Sequence, residues 1–228
     1  MTPDRDSHPA LAAARQSGIV PLMSSADPDV LWRAAEAIVE AGVGIMEVVF
    51  RTPGTARALA RVIERARGAG LPLAIGAGTV LDVAAADAAI EAGARFVFSP
   101  ALSGEVGTRC IAAGVAWFPG CATPTEVHTA LELGCDAVKL FPADALGGPG
   151  FVRSLRSVFP VMNPIPSGGI VPTEGELRAW FRAGAVAVGV GSWLFPVDAT
   201  GSHDWSEVSR RLVAASTAAT SARMEAGE

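Results

Sequence analysis

The chain has 228 residues, half of them hydrophobic and 18% charged, with a formal net charge of −5. That balance excludes a disordered or fibrous chain and offers no basic surface for nucleic acid. The length fits one domain over residues 1–228.

No apolar run is long enough to span a bilayer, and the N-terminus is polar and carries acid rather than a secretory pattern. Cys110, Cys121 and Cys135 follow no metal-ligand spacing and read as reduced thiols. The expectation is a soluble cytoplasmic protein with no membrane or nucleic-acid partner.

Taken in order, residues 1–8 read as frayed and 10–16 as a helix preceding the first strand. Short β-rich runs follow at 19–23, 44–50, 73–79, 95–99, 116–120, 137–141, 163–167 and 185–191. Between them lie Ala/Leu-rich helical patterns such as 28–41, 55–67, 82–92 and 173–183, and 205–217 reads as the last helix. Five of the helical stretches close on Gly42, Gly93, Gly114, Gly134 and Gly184, which suits a left-handed C-cap. Strands recurring about every 20–28 residues match small βα units. Eight of them predict an α/β fold, a single (β/α)8 TIM barrel with an extra N-terminal helix. The seventh strand carries Pro164 and Pro166 and rests on the repeat alone; residues 219–228 read as a frayed tail.

A barrel of this kind places chemistry at the carboxyl ends of its strands. In Met46-Glu47-Val48-Val49-Phe50-Arg51, alternation puts Glu47 and Arg51 on one inward face near the top. Arg51 suits a carboxylate and Glu47 a proton transfer, against the alternative of an ion pair that only satisfies itself. Gly76-Ala77-Gly78-Thr79 would let backbone approach a ligand and offer a hydroxyl. Cys121, near the end of the fifth strand, reads as a small pocket-lining residue.

Lys139 is the sole lysine among eighteen basic residues and sits mid-strand in Ala137-Val138-Lys139-Leu140-Phe141. An amine is what arginine cannot supply: a desolvated ammonium can lose its proton and attack a carbonyl. The bland alternative is a buried stem whose amine reaches water. Ser167-Gly168-Gly169 and Gly191-Ser192 fall where barrels of this type hold phosphate on backbone N–H groups, though two tight turns would leave the same trace. His8, His128 and His203 are scattered, so no metal site is expected.

Together with Ser99-Pro100, Pro119-Gly120 and Lys139-Leu140-Phe141-Pro142-Ala143, these blocks run in an order that resembles the 2-keto-3-deoxy-6-phosphogluconate aldolase family, including its 4-hydroxy-2-oxoglutarate aldolase members. The resemblance spans Gly18 to Leu194. It implies a Schiff base on Lys139, acid/base work by Glu47, and pyruvate-carboxylate binding by Arg51 and Thr79. Phe141 would pack on the substrate, Pro100 falls among its contacts, and Ser167, Gly168, Gly169, Gly191 and Ser192 would meet the phosphate. It also implies a homotrimer with no metal or organic cofactor. Met23-Ser24-Ser25 and Ser167 depart from the family pattern beside the distal part of the substrate. Two rival functions stay open here: a phosphate-binding barrel epimerase or isomerase, and a non-catalytic barrel that binds a sugar phosphate.

Overall fold

The computed structural model describes residues 8–226; the expected fraying of the N-terminus falls almost wholly outside them, and His8 caps the first helix. Among the described residues, α1 (Pro9–Ser17) leads into β1 (Ile19–Met23), α2 (Pro28–Glu40), β2 (Ile45–Val49), α3 (Thr55–Gly68), β3 (Ala74–Gly78) and α4 (Val83–Glu91). Then come β4 (Phe96–Phe98), α5 (Gly104–Ala112), β5 (Ala116–Phe118), β6 (Gly120–Cys121), α6 (Pro124–Glu132) and β7 (Val138–Leu140). The chain finishes with α7 (Gly148–Val158), β8 (Pro164–Pro166), α8 (Glu174–Arg182), β9 (Val188–Val190) and α9 (Trp205–Ala226).

Local chemistry sets the boundaries. Asp27, Asp82, Ser103, Thr123 and Thr173 each accept a backbone N–H in the first turn of the helix that follows. The five helix-ending glycines expected from the sequence all take φ between 67° and 96°.

All pairings between the strands are parallel, in the order β5-β4-β3-β2-β1-β9 and β6-β7-β8. Two features join these runs into a ring. β5 and β6 are one barrel position interrupted at Pro119, and Lys139 N donates to the Pro119 carbonyl across the gap. On the other side a Ser167–Gly189 bridge and the Val186 N to Pro164 O bond link β8 to β9. The prolines of β8 are tolerated because the strand uses its carbonyls and neighbours: Asn163 O accepts from Val138, and Ser167 N donates to Leu140.

The ring of eight positions explains which side chains meet. β2 and β7 lie four positions apart, so their inward residues converge on the axis from opposite walls. Below that level Phe96, Phe98 and Phe118 fill the interior, with centroids 4.8–5.7 Å apart.

The helical pattern ends later than the sequence suggested. Where residues from 219 onward read as frayed, α9 continues to Ala226, with Ala219 and Ala222 buried. Arg223 donates to Val186 O with its guanidinium 4.9 Å from the Phe181 ring, and Arg178 meets Glu225 at 2.6 Å. Small buried alanines and end-of-chain ion pairs hold this turn, a signal weaker than a Leu/Ile stripe.

Candidate active site

Lys139 and Glu47 meet at the floor of a cavity of about 1080 Å³ that opens at the carboxyl ends of the strands. The amine is 3.6 Å from Glu47 Oε1, and the residues are 4% and 1% exposed. That separation is an ion-pair distance but too long for a hydrogen bond, and Oε1 has no hydrogen-bond partner. Aromatic rings wall the amine: Nζ lies 5.1 Å from the Phe98 centroid and 5.5 Å from that of Phe141.

Glu47 is seated by its neighbours' lack of side chains. It pairs in register with Gly76 on β3, and a methyl group at Gly78 would occupy the space of its carboxylate. Burial pushes the Glu47 carboxyl above its ordinary value of 4.5, against the opposing attraction of Lys139 and Arg51. The pair is therefore placed where a proton is easily kept or given.

Above this floor, Arg51, Thr79, Pro100, Phe141, Ser167, Gly168, Gly169, Gly191 and Ser192 all line the same cavity as Lys139. Of the site residues singled out in the sequence, only Glu47, which sits beneath the wall, and Cys121 are not part of it. Two placements differ from the strand-alternation reading. β2 ends at Val49, so Arg51 lies in the following turn and is exposed at the mouth, not held inside the barrel. Cys121 is buried and outside the lining, and its desolvated thiol is pushed well above the ordinary range, which suits packing rather than reaction.

Thr79 adopts a left-handed φ of 59°, an uncommon conformation for a β-branched residue, at the point where β3 turns into the cavity wall. The Ser167 hydroxyl is buried with no hydrogen-bond partner in that wall, and Gly189 leaves room for it. Gly168 and Gly169 both take left-handed backbone, and Asp144 fills the space that a side chain at Gly169 would need. Among the described residues, no group of three or more His, Cys, Asp and Glu side chains converges as a metal site would require.

Residues 11–211 match the family described as KDPG and KHG aldolase, that is, 2-keto-3-deoxy-6-phosphogluconate and 4-hydroxy-2-oxoglutarate aldolase. The chain belongs to this family. It is 38% identical over 162 residues to 2-dehydro-3-deoxy-phosphogluconate aldolase of Zymomonas mobilis, covering 71% of this chain and 74% of that one. It is 32% identical over 178 residues to the 2-dehydro-3-deoxy-6-phosphogalactonate aldolase of Escherichia coli, covering 78% and 84%. Its fold superposes with a TM-score of 0.81, at 29% identity and over 90% of this chain and 97% of that one, on the KDPG aldolase of Legionella pneumophila with pyruvate captured as a covalent carbinolamine.

The KDPG and KHG aldolase match reaches Arg211, yet the far rim of the cavity holds residues to which the sequence assigned no part in the site. Arg33 from α2, Trp193 after β9, and Ser202, His203 and Trp205 around the start of α9 all line it. Trp193 is fixed by Arg211, which donates to its carbonyl at 2.7 Å, lies 5.2 Å from its ring and is itself held by Glu207 at 2.6 Å. A tryptophan beside an arginine far along the chain carries no spacing signal, so only the closed ring brings these groups to the site.

Proposed function

We propose that this chain is a class I aldolase that cleaves 2-keto-3-deoxy-6-phosphogluconate, or a close 2-keto-3-deoxy acid such as 4-hydroxy-2-oxoglutarate, to pyruvate and an aldehyde. For the phosphorylated substrate the aldehyde is glyceraldehyde 3-phosphate. The observation that carries the reading is a lone, buried lysine amine facing a buried carboxyl at the floor of a cavity whose wall bears arginines.

In this reading Arg51 and the Thr79 hydroxyl hold the substrate carboxylate, which aims C2 at Lys139. The amine adds to C2. Glu47, favoured in its protonated form by burial, gives its proton to the departing hydroxyl as water leaves and the iminium forms. The resulting carboxylate takes the C4 hydroxyl proton while the C3–C4 bond breaks, and its electrons move to the iminium nitrogen as an enamine. The aldehyde departs, Glu47 returns the proton to C3, and water releases pyruvate. Phe141 and Pro100 pack on the carbon skeleton. N–H groups around Gly168, Gly169, Gly191 and Ser192, with the Ser167 hydroxyl, hold the phosphate, whose remote binding orients the reacting bond. No metal or organic cofactor takes part, and the resemblance in sequence supports a homotrimer.

The test is reduction of the protein with borohydride in the presence of pyruvate, followed by peptide mass spectrometry. A pyruvyl adduct on Lys139 is expected, and none in Lys139→Met. Wild-type protein that remains unmodified while folded would overturn the class I mechanism.

A further inference from the structure

The cavity wall carries more positive charge than the carbonyl chemistry uses. Its cationic side chains are Lys139, Arg51 and Arg33, His203 lies among the lining residues, and no carboxylate lines it. Lys139 takes the carbonyl and Arg51 stands at the end of β2. Arg33 is left over, and its surroundings show why it is not an ordinary surface charge.

Arg33 sits four residues after Asp29 on α2, the spacing at which a helical ion pair normally forms. Asp29 is instead engaged by Arg65 at 3.1 Å, and Arg65 lies 4.2 Å from the Trp32 ring. Arg33 turns the other way: its guanidinium lies 5.0 Å from the centroid of Trp205, at the first residue of α9, and makes no ion pair with a described carboxylate. Asp204, next to Trp205, is occupied by the first turn of α9, accepting from Ser206 N, Ser206 Oγ and Glu207 N. Stacking on an indole fixes a guanidinium without neutralising it.

His203 is held beside it. Its Nδ1 lies 3.0 Å from the Pro196 carbonyl, which only accepts, so Nδ1 carries the proton and anchors the ring there. Its ring packs 5.3 Å from Trp205 and 6.5 Å from Phe195. β1 pairs with β9 in the ring, so Arg33 on the helix after β1 and His203 in the segment after β9 stand on the same side as the Gly191-Ser192 turn.

We propose that Arg33, stacked on Trp205 and flanked by His203, is a specificity-determining residue that binds the distal phosphate of the substrate and supplies the charge that the glycine turns lack. The inference rests on the aldolase reading for the identity of the substrate, and it adds the requirement that the distal group be anionic. Backbone N–H groups give direction to a phosphate but only partial charge, whereas a guanidinium gives a full charge and two parallel donors.

The test compares wild type with Arg33→Met, which keeps the stem over Trp205, and with Arg33→Lys, which keeps the charge. Two quantities are read: the ratio of kcat/KM for 2-keto-3-deoxy-6-phosphogluconate to that for 2-keto-3-deoxygluconate, and the affinity for inorganic phosphate by calorimetry. Borohydride trapping of pyruvate reports on the amine in each protein. Arg33→Met is expected to lower the ratio about ten- to hundred-fold, the loss of one or two charge-assisted hydrogen bonds, and to weaken phosphate binding in parallel. Arg33→Lys should recover part of both. An unchanged ratio and phosphate affinity in Arg33→Met would overturn the proposal, as would an equal loss on both substrates. If wild type forms no pyruvyl adduct yet Arg33→Met still loses phosphate affinity, the aldolase reading falls and the anion site stands.

Discussion

At the scale of single residues, the chemistry depends on keeping an amine and a carboxyl almost out of water. Desolvation is the largest influence on Glu47 and outweighs the attraction of Lys139 and Arg51, so its carboxyl holds a proton to higher pH than the ordinary 4.5. The sign for catalysis follows. Carbon deprotonation needs the carboxylate, so the rate of hydrogen–deuterium exchange at the pyruvate methyl group, followed by NMR at saturating pyruvate, should rise with pH through the raised pKa. Its acid limb should lie above pH 4.5. Glu47→Gln is expected to slow exchange about 10²- to 10⁴-fold and to flatten that limb, while slow borohydride trapping on Lys139 persists. A variant that exchanges at the wild-type rate, or keeps the same limb, would assign the proton transfer to another group. Lys139 was readable in the sequence because a chain with one amine has little other use for it. Arg33 was not: Asp29 four residues earlier stands at the spacing of an ordinary helical surface pair, and only the structure shows Asp29 committed to Arg65. Arg51 was placed two residues too deep because alternation says nothing about where a strand stops.

At the scale of elements, each expected strand has a counterpart within a few residues, since buried parallel strands read as short apolar runs and the glycine caps mark where helices release the chain. Hidden from the sequence were the interruption at Pro119, which depends on pairing across the gap, and the length of α9, which rests on alanines and ion pairs. The helix ahead of β1 also acquires a purpose that its sequence does not state. Arg15 of α1 donates to Asn163 Oδ1 at 2.6 Å, Asn163 Nδ2 donates to Asp136 O at 3.0 Å, and Asp136 Oδ2 accepts from Trp117 N at 3.0 Å. The network joins α1 to the starts of β5, β7 and β8, at the end of the barrel away from the cavity. Asn163 is 8% exposed, so Asn163→Ala takes an acceptor from the half-buried Arg15 guanidinium and opens a gap at a buried position. The expected cost is about 2–3 kcal/mol in urea denaturation. Because the change lies at the stability end of the barrel, the rate of pyruvate trapping on Lys139 should match wild type. A loss of trapping with unaltered stability would show that the two ends are coupled.

At the scale of the whole molecule, the charges are distributed against the net sum. The chain carries −5 overall, yet the cavity wall holds Lys139, Arg51 and Arg33 and no carboxylate. A substrate with a carboxylate and a phosphate therefore meets a chain of net negative charge whose cavity wall is cationic. At the mouth the cations are within contact distance, whereas the acids are spread over the outside, so the local field governs capture. Salt separates this from the chemistry below. Raising sodium chloride from about 10 mM to about 1 M shortens the Debye length from about 30 Å to about 3 Å, which screens Arg33 and Arg51 at the exposed rim. The Lys139–Glu47 pair, 6% and 1% exposed at its side chains, is screened far less. For the phosphorylated acid, KM should rise several-fold with salt while kcat stays nearly constant, and the effect should be smaller for the unphosphorylated acid and for Arg33→Met. If kcat fell with salt and KM held, screening would be acting on the buried pair itself, and the rim arginines would not be what draws the substrate in.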